Sequence, residues 1–255
     1  HNINYQEDNV CQENFRGLVV FMLDWKIDAK KHAEKCLPEE ACGLIYIHKG
    51  KTKYKPCENI SISPKETFII RPKDYADVAD IGTIIGVFHS HPNEKPYPSP
   101  ADKSICEKYK MPWFIYSVCF DEWFDFQPSG YKAPLVGREY VFGIHDCWSL
   151  IRDYFETINI TLRDWDRPIN PKDFCDNPYF EKCFIDTGFR ELEPSEHLQV
   201  NDCLLFSLNS TGLNHIGVLL KNQMILHHIE GRLSSRDFYG EWLMKCTGKR
   251  IRYVK

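Results

Sequence analysis

His89 and His91, followed eleven positions on by Asp102, are the residue types and spacing in this chain best suited to holding a metal. The apolar run Ile84 to Phe88 predicts a buried strand, and histidines at i and i+2 beyond it project from one face of extended chain. Two neutral imidazoles and one carboxylate can close on a Zn²⁺ ion and leave a fourth position for water, which is the ligand count of a catalytic site. A water activated in this way needs an anionic base, and Glu40 stands just ahead of a strand in the same half of the chain. Taken alone, Ser99-x-x-Asp102 also reads as a helix-capping pair.

A second group lies in the other half. Cys147 opens an amphipathic segment, where the unsatisfied N–H groups and dipole of a helix N-terminus favour a thiolate; Asp146 before it reads equally well as an N-cap. A cysteine nucleophile needs a histidine to take its proton and a third polar group to orient that histidine. Asn214-His215-Ile216-Gly217-Val218-Leu219 and Ile225-Leu226-His227-His228 read as neighbouring strands able to supply both. A strict two-residue hairpin would bring His228 to the face of His215, whereas an odd-length loop or a bulge would bring His227 there.

The elements that must position these groups follow from periodicity. A helix is expected over Asp24 to Cys36, a strand over Ala41 to His48 with Gly43 inside it, and a turn at Lys49-Gly50-Lys51 with Lys53 to Asn59 pairing back. Thr67 to Ile70 reads as a short strand and Pro72 to Ile81 as a helix leading into the histidine strand. Ser99 as N-cap and Pro100 at the first helical position predict a helix over Ala101 to Tyr109, after which the strand Trp113 to Phe120 closes the domain. Gln127-Pro128-Ser129-Gly130, Ala133-Pro134 and Gly137 interrupt all regular structure. Beyond them come a helix over Trp148 to Ile160, with Leu150, Ile151, Tyr154, Phe155 and Ile158 on one stripe, a loop-rich segment to about Leu198, and strands Cys203 to Leu208, His215 to Leu220 and Met224 to Ile229. The expected division is an arm (1–21), a first domain (22–126), a linker (127–137) and a second domain (138–255), with Met22 readable as a natural start and the arm as a docking segment.

At 255 residues the chain suits two domains. With 32 basic against 36 acidic residues, for a net charge of −4, no excess of positive charge points to nucleic acid or an anionic membrane as partner. Eleven cysteines without a C-x-x-C pair suit free thiols in a reducing compartment, so synthesis in the cytoplasm is expected. The longest apolar runs fall far short of the roughly 20 residues that span a bilayer, and the N-terminus lacks the pattern of a signal peptide.

Glu40-Ala41-Cys42-Gly43, His89-Ser90-His91-Pro92 and Ser99-x-x-Asp102 together resemble the JAMM (MPN+) zinc metallopeptidase motif. The resemblance implies His89, His91 and Asp102 as zinc ligands and Glu40, rather than its neighbour Glu39, as general base. It also implies Ser99 as a helper at the developing oxyanion, and hydrolysis of a peptide or isopeptide bond. Cys147 at a helix start, then His215, then His227 twelve residues on, resembles the NlpC class of papain-like cysteine peptidases, whose cell-wall members cut murein stem peptides. That resemblance implies Cys147 as nucleophile, His215 as base and His227 as the orienting residue. Bulky Trp148 stands where a small residue is usual, and Tyr140 lies nearer the cysteine than the substrate-binding tyrosine of the cell-wall enzymes.

A JAMM-like α/β sandwich followed by an NlpC-like domain, a mixed α+β and α/β chain, resembles the tail-assembly protein K family of lambdoid tailed phages over about residues 22 to 255. This implies a tail-tip component made in the host cytoplasm and present at the virion tail tip, with other tail-tip proteins as partners, no nucleic acid, and peptidoglycan peptides as a substrate. It also implies either a bifunctional peptidase or a mainly structural subunit with vestigial or single-use sites.

Overall fold

In the computed structural model, residues 24–176 and 179–254 are described, and the chain divides into two units between Tyr131 and Lys132. The expected arm and Met22 lie outside the described residues.

The N-terminal unit is built on the sheet β2-β1-β3-β4-β5, with β1 Cys42–His48, β2 Lys51–Cys57, β3 Thr83–His91, β4 Trp113–Ser117 and β5 Glu122–Phe126. Only β3 and β4 run parallel, because the connection between them contains the helix α3 (Pro100–Tyr109) and so returns the chain to the same end of the sheet. Helix α1 (24–36) buries Trp25, Ala29 and Ala33 on one face of the sheet, against Ala41, Ile45, Phe88 and Tyr116. Val78 of α2 (Pro72–Ala79) and Cys106 of α3 cover the other face, against Cys42, Leu44, Val87 and Trp113. The result is three layers, with the histidines at the end of the central strand β3.

Two expected boundaries change for local reasons. Thr67 to Ile70 is not a strand: only an isolated bridge joins Asn59 to Ile70. The Asn59 side chain holds that loop instead, its Oδ1 accepting the Ser61 and Ile69 N–H groups and its Nδ2 donating to the Glu40 and Thr67 carbonyls. The strand expected to run to Phe120 stops at Ser117, turns through Asp121 in the left-handed region (φ 54°), and pairs with β5, which the sequence reading did not anticipate.

The C-terminal unit has a six-stranded antiparallel sheet in the order β10-β9-β8-β7-β11-β6. Its strands are β6 Phe189–Glu191, β7 Cys203–Phe206, β8 His215–Leu219, β9 Met224–His227, β10 Ser235–Phe238 and β11 Thr247–Tyr253. Helix α4 (Cys147–Thr157) lays Trp148, Leu150, Ile151 and Phe155 on Leu205, Ile216, Val218 and Leu226. It ends before the expected Ile160 because Asn159 turns left-handed (φ 61°) and the Ile160 N–H folds back to the Phe155 carbonyl at 2.9 Å. Short helices α5 (Pro171–Asp176) and α6 (Tyr179–Cys183) occupy the loop-rich segment, and Leu243 of α7 (Glu241–Cys246) packs on the second face with Leu204, Phe206, Leu219 and Ile225. Strands β6, β10 and β11 escaped the periodicity reading; β10, Ser-Arg-Asp-Phe, is a partly exposed edge with little apolar signal. Cys36, Cys42, Cys57, Cys106, Cys119, Cys147, Cys183, Cys203 and Cys246 are free thiols, and no described helix is long and apolar enough to cross a membrane.

Gly43 is required by packing. A Cβ there would stand 2.4 Å from Tyr54 Cε2, whose ring lies across β1 to put its hydroxyl 2.8 Å from His32 Nδ1 on α1. Gly43→Ala is therefore expected to destabilise the protein by about 1–3 kcal/mol in urea unfolding, and by much less in a Tyr54→Ala background, where the obstructing ring is gone.

Candidate metal centre and thiol site

The metal candidates are positioned by two strands and one helix start. β1 pairs antiparallel with β3 so that Cys42 faces His89. Ala41 and Ser90 extend the pairing: the Ser90 N–H donates to the Ala41 carbonyl, and the Ala41 N–H to Ser90 Oγ, both at 2.9 Å. One residue further in this register Glu40 comes opposite His91, and alternation puts Glu40, His89 and His91 on the same face. The crossover then delivers Asp102 in the first turn of α3.

His89 Nε2 lies 3.2 Å from His91 Nε2 and 3.6 Å from Asp102 Oδ1, and one donor atom from each residue falls within 4.8 Å of the others. Nitrogen ligands at 2.0–2.1 Å on a tetrahedral ion stand about 3.3–3.4 Å apart, so the imidazole pair has the separation zinc requires. The donor states fit as well. His91 Nδ1–H donates to the Lys95 carbonyl at 2.8 Å, which leaves the Nε2 lone pair facing the cluster. Burial lowers the pKa of His89 to about 4, with Asp102 opposing the shift, so His89 is neutral at physiological pH. Its ring is stacked on Phe68 (centroids 4.8 Å) and edge-on to Trp113, and Nδ1 has no hydrogen-bond partner among the described residues.

Ser99 and Asp102 form the capping box that the alternative reading anticipated. The Asp102 N–H donates to Ser99 Oγ at 3.1 Å, while the Ser99 N–H and hydroxyl donate to Asp102 Oδ2 at 2.8 and 2.7 Å. One carboxylate oxygen is thus tied into the helix cap and the other, Oδ1, faces His89. The Ser99 hydroxyl proton is committed to Asp102 in this arrangement and is not presented to a substrate oxygen.

Glu40 is buried, and its carboxyl is pushed up from 4.5 to about 8, by desolvation first and then by the charges of Asp102 and Glu94. A carboxyl held in this way can carry a proton at neutral pH and surrender it when a positive charge arrives nearby.

In the C-terminal unit Asp146 caps α4, accepting the Ser149 N–H at 2.8 Å, and it is paired with Arg167 (Nε to Oδ2, 2.9 Å). Cys147 follows as the first helical residue, buried in the helix-side core. Burial pushes its thiol up to about 12 and Asp146 reinforces the shift, while the backbone amide of Ile216 and then Arg167 oppose it. Desolvation therefore outweighs the helix dipole, and the expected thiolate is not preformed. Beside Cys147, Trp148 stacks on Trp165 with centroids 3.9 Å apart.

His215 and His227 are brought together, with His215 Nε2 3.2 Å from His227 Nδ1. Leu219 pairs with Ile225 with five residues between them, the last of which, Met224, already belongs to β9, and a 3₁₀ turn at Lys221–Gln223 with Asn222 left-handed (φ 59°) closes the connection. This odd length selects His227 for the face of His215, and His228 packs on the other face, edge-on to Tyr140. Gly217, paired with His227, keeps that face open: a Cβ there would meet Ile225 Cγ1 at 2.8 Å and His227 Cβ at 3.1 Å. The structure does not join Cys147 to His215 by a hydrogen bond. Ile216 and Val218 face α4 and the thiol's core, whereas His215 and Gly217 face the opposite side. Sequence reasoning missed Asp237, whose Oδ2 lies 2.9 Å from His227 Nε2. Its only signal was an acidic residue ten positions after His227, in a strand too polar to be noticed.

Comparison with known proteins matches residues 27–128 to prokaryotic homologues of the JAB domain and residues 137–251 to the NlpC/P60 family. Tail tip assembly protein K of Escherichia phage N15 is 36% identical over 225 residues, covering 87% of this chain and 91% of that protein. Tail tip assembly protein K of Escherichia phage lambda is 29% identical over 176 residues, covering 69% of this chain and 85% of that one. The desampylase of Haloferax volcanii is 24% identical over 90 residues, covering 32% of this chain and 63% of the relative.

The raised Glu40 pKa has a definite sign. Between about 4.5 and about 8 the folded state keeps a proton that the unfolded chain releases, so wild-type stability falls as pH rises through that window. In metal-free protein, Glu40→Gln is expected to match wild type at pH 4 and to exceed it by about 2–4 kcal/mol at pH 8.5, measured by urea unfolding. A difference independent of pH would remove the buried, proton-holding carboxyl.

Proposed function

Because the chain belongs to the tail tip assembly protein K family, we propose that it works in the tail tip of a phage as a two-centre peptidase, with other tail-tip proteins as partners during assembly or host entry. The first domain (22–126) is assigned zinc-dependent hydrolysis of a peptide or isopeptide bond, and the second (138–255) cysteine-dependent hydrolysis of murein stem peptides. The observation that carries the reading is the convergence of His89, His91 and Asp102 on one point with donor states suited to zinc.

His89 Nε2, His91 Nε2 and Asp102 Oδ1 would hold the ion. When bound, zinc supplies Lewis acidity that lowers the pKa of a water molecule toward about 7. Glu40 takes a proton from the attacking water and delivers it to the leaving amine, a role for which its dry setting suits it. Ser99 keeps Asp102 oriented through the helix cap. In the second domain Cys147 is assigned as nucleophile and His215 as its base, two side chains that stand on opposite faces of β8 in this structure; once they are brought within reach, Cys147 Sγ gives its proton to His215 and attacks the substrate carbonyl carbon, His215 returns the proton to the departing amine, and water then hydrolyses the thioester to free the acid and the thiol. His227 orients His215.

Purified protein is expected to carry one zinc per chain by metal analysis, lost in His89→Ala. Muropeptides are expected to be cleaved by the wild type and left intact by Cys147→Ala; absence of zinc together with intact muropeptides would overturn the reading. A structural role with unused sites is favoured by one observation, the enclosure of Cys147 with its thiol up to about 12. Normal plaques from phages carrying Glu40→Gln and Cys147→Ala separately would decide for that role, whereas loss of plaques with either change is the outcome expected of a working peptidase.

A further inference from the structure

We propose that Asp237 is a positioning residue that, acting through His227, sets the ring tautomer of His215, with the proton on Nε2 and the Nδ1 lone pair free to act as a base. The proposal rests on the reading of Cys147 and His215 as nucleophile and base.

Three adjacent strands supply the row. Gly217 of β8 pairs with His227 of β9, and Asp237 of β10 pairs with Ile225 of β9, so His215, His227 and Asp237 lie diagonally on one face. The contacts run from His215 Nε2 to His227 Nδ1 at 3.2 Å and from His227 Nε2 to Asp237 Oδ2 at 2.9 Å. His215 and His227 are buried, while the Asp237 side chain is 35% exposed, so the row leads from the interior to the sheet edge.

With a neutral His227 ring, the protons follow from valence. An ionised carboxylate only accepts, so His227 must carry its proton on Nε2. A neutral ring protonated there has its lone pair on Nδ1, which can only accept from His215. His215 is therefore protonated on Nε2 and keeps its Nδ1 lone pair free. Without the carboxylate, His227 can hold its proton on Nδ1 and donate to His215 Nε2, which moves the His215 proton to Nδ1 and removes its capacity as a base. This is the logic by which the aspartate of a serine-peptidase triad sets its histidine, here transmitted through one additional ring.

Asp237 has the surroundings of a carboxylate. Partial burial works against ionisation, but the bond from His227, together with Ser235 and Arg232, holds the carboxyl below its ordinary value. Arg232 Nη2 lies 4.0 Å from Oδ2.

Long-range ¹H–¹⁵N NMR on the full chain at neutral pH tests this without substrate. The wild type is expected to show both His215 and His227 protonated on Nε2, and Asp237→Asn to transfer both protons to Nδ1, since the amide can itself donate to His227. Where Cys147-dependent cleavage of muropeptides is measured, Asp237→Asn is expected to lower kcat by about 10–100-fold with KM little changed, and Asp237→Glu to recover part of the loss. A wild-type His227 protonated on Nδ1, or an Asp237→Asn chain with wild-type tautomers, would overturn the proposal. The wild-type spectrum decides by itself if the variant fails to fold. Muropeptides left intact by the wild type would overturn the peptidase reading instead, and the tautomers tell that failure apart from this one.

Discussion

The register in which β1 pairs with β3, Cys42 opposite His89, holds the N-terminal unit's chemistry together. Slipping it by one residue would send Glu40 to the face covered by α1 while His89 and His91 stayed on the face covered by α2 and α3. The pairing is secured on both sides of the site. Ala41 and Ser90 exchange two hydrogen bonds at its mouth, and the Asn59 side chain anchors the Glu40 carbonyl from the neighbouring loop. Gly43 serves the same end, since the absence of its side chain lets Tyr54 lie across the strand and tie the sheet to α1. In the C-terminal unit the corresponding constraint is the five-residue spacing between the paired Leu219 and Ile225, whose odd number chooses which of two adjacent histidines meets His215.

Desolvation is the common electrostatic cause in both units. It lowers His89 to about 4, raises Glu40 to about 8, lowers His215 and raises Cys147 to about 12, so each group is held in its uncharged form at rest. The consequences differ. In the candidate metal centre a divalent cation would restore the charge on Glu40. Beside the thiol the nearby cation, Arg167, is already paired with Asp146, so under the proposed reading ionisation comes from proton transfer within the site and depends on the tautomer of His215. Among the described residues, the carboxylate bonded to the histidine pair is Asp237, on an edge strand.

The strongly periodic elements were legible in the sequence. The helices at 24–36, Pro72–Ala79, Pro100–Tyr109 and Cys147–Thr157 and the apolar strands β1, β3, β7, β8 and β9 follow from spacing and capping residues, with ends displaced by a few positions. What was misread had a local cause: Thr67 to Ile70 looked like a strand, but a single asparagine side chain takes the bonds a ladder would have used. Edge strands β6 and β10 carry too few apolar residues to show a period, and β11 carries Lys249, Arg250 and Arg252 around Ile251, its one fully buried residue.

The sequence by itself determined the inventory of the candidate metal centre. Histidines two apart at the end of an apolar strand must share a face, and a serine three residues before an aspartate at a helix start must cap it, because both relations are set by backbone periodicity over a few residues. It also named Cys147, His215 and His227 as candidates. Only the tertiary structure decided that Glu40 stands opposite His91, that Ser99 spends its proton on Asp102, that Cys147 is enclosed and protonated, and that Asp237 stands behind His227. Each of those depends on the register of separate strands or on how much water the assembled layers exclude, and neither quantity is carried by any local stretch of residues.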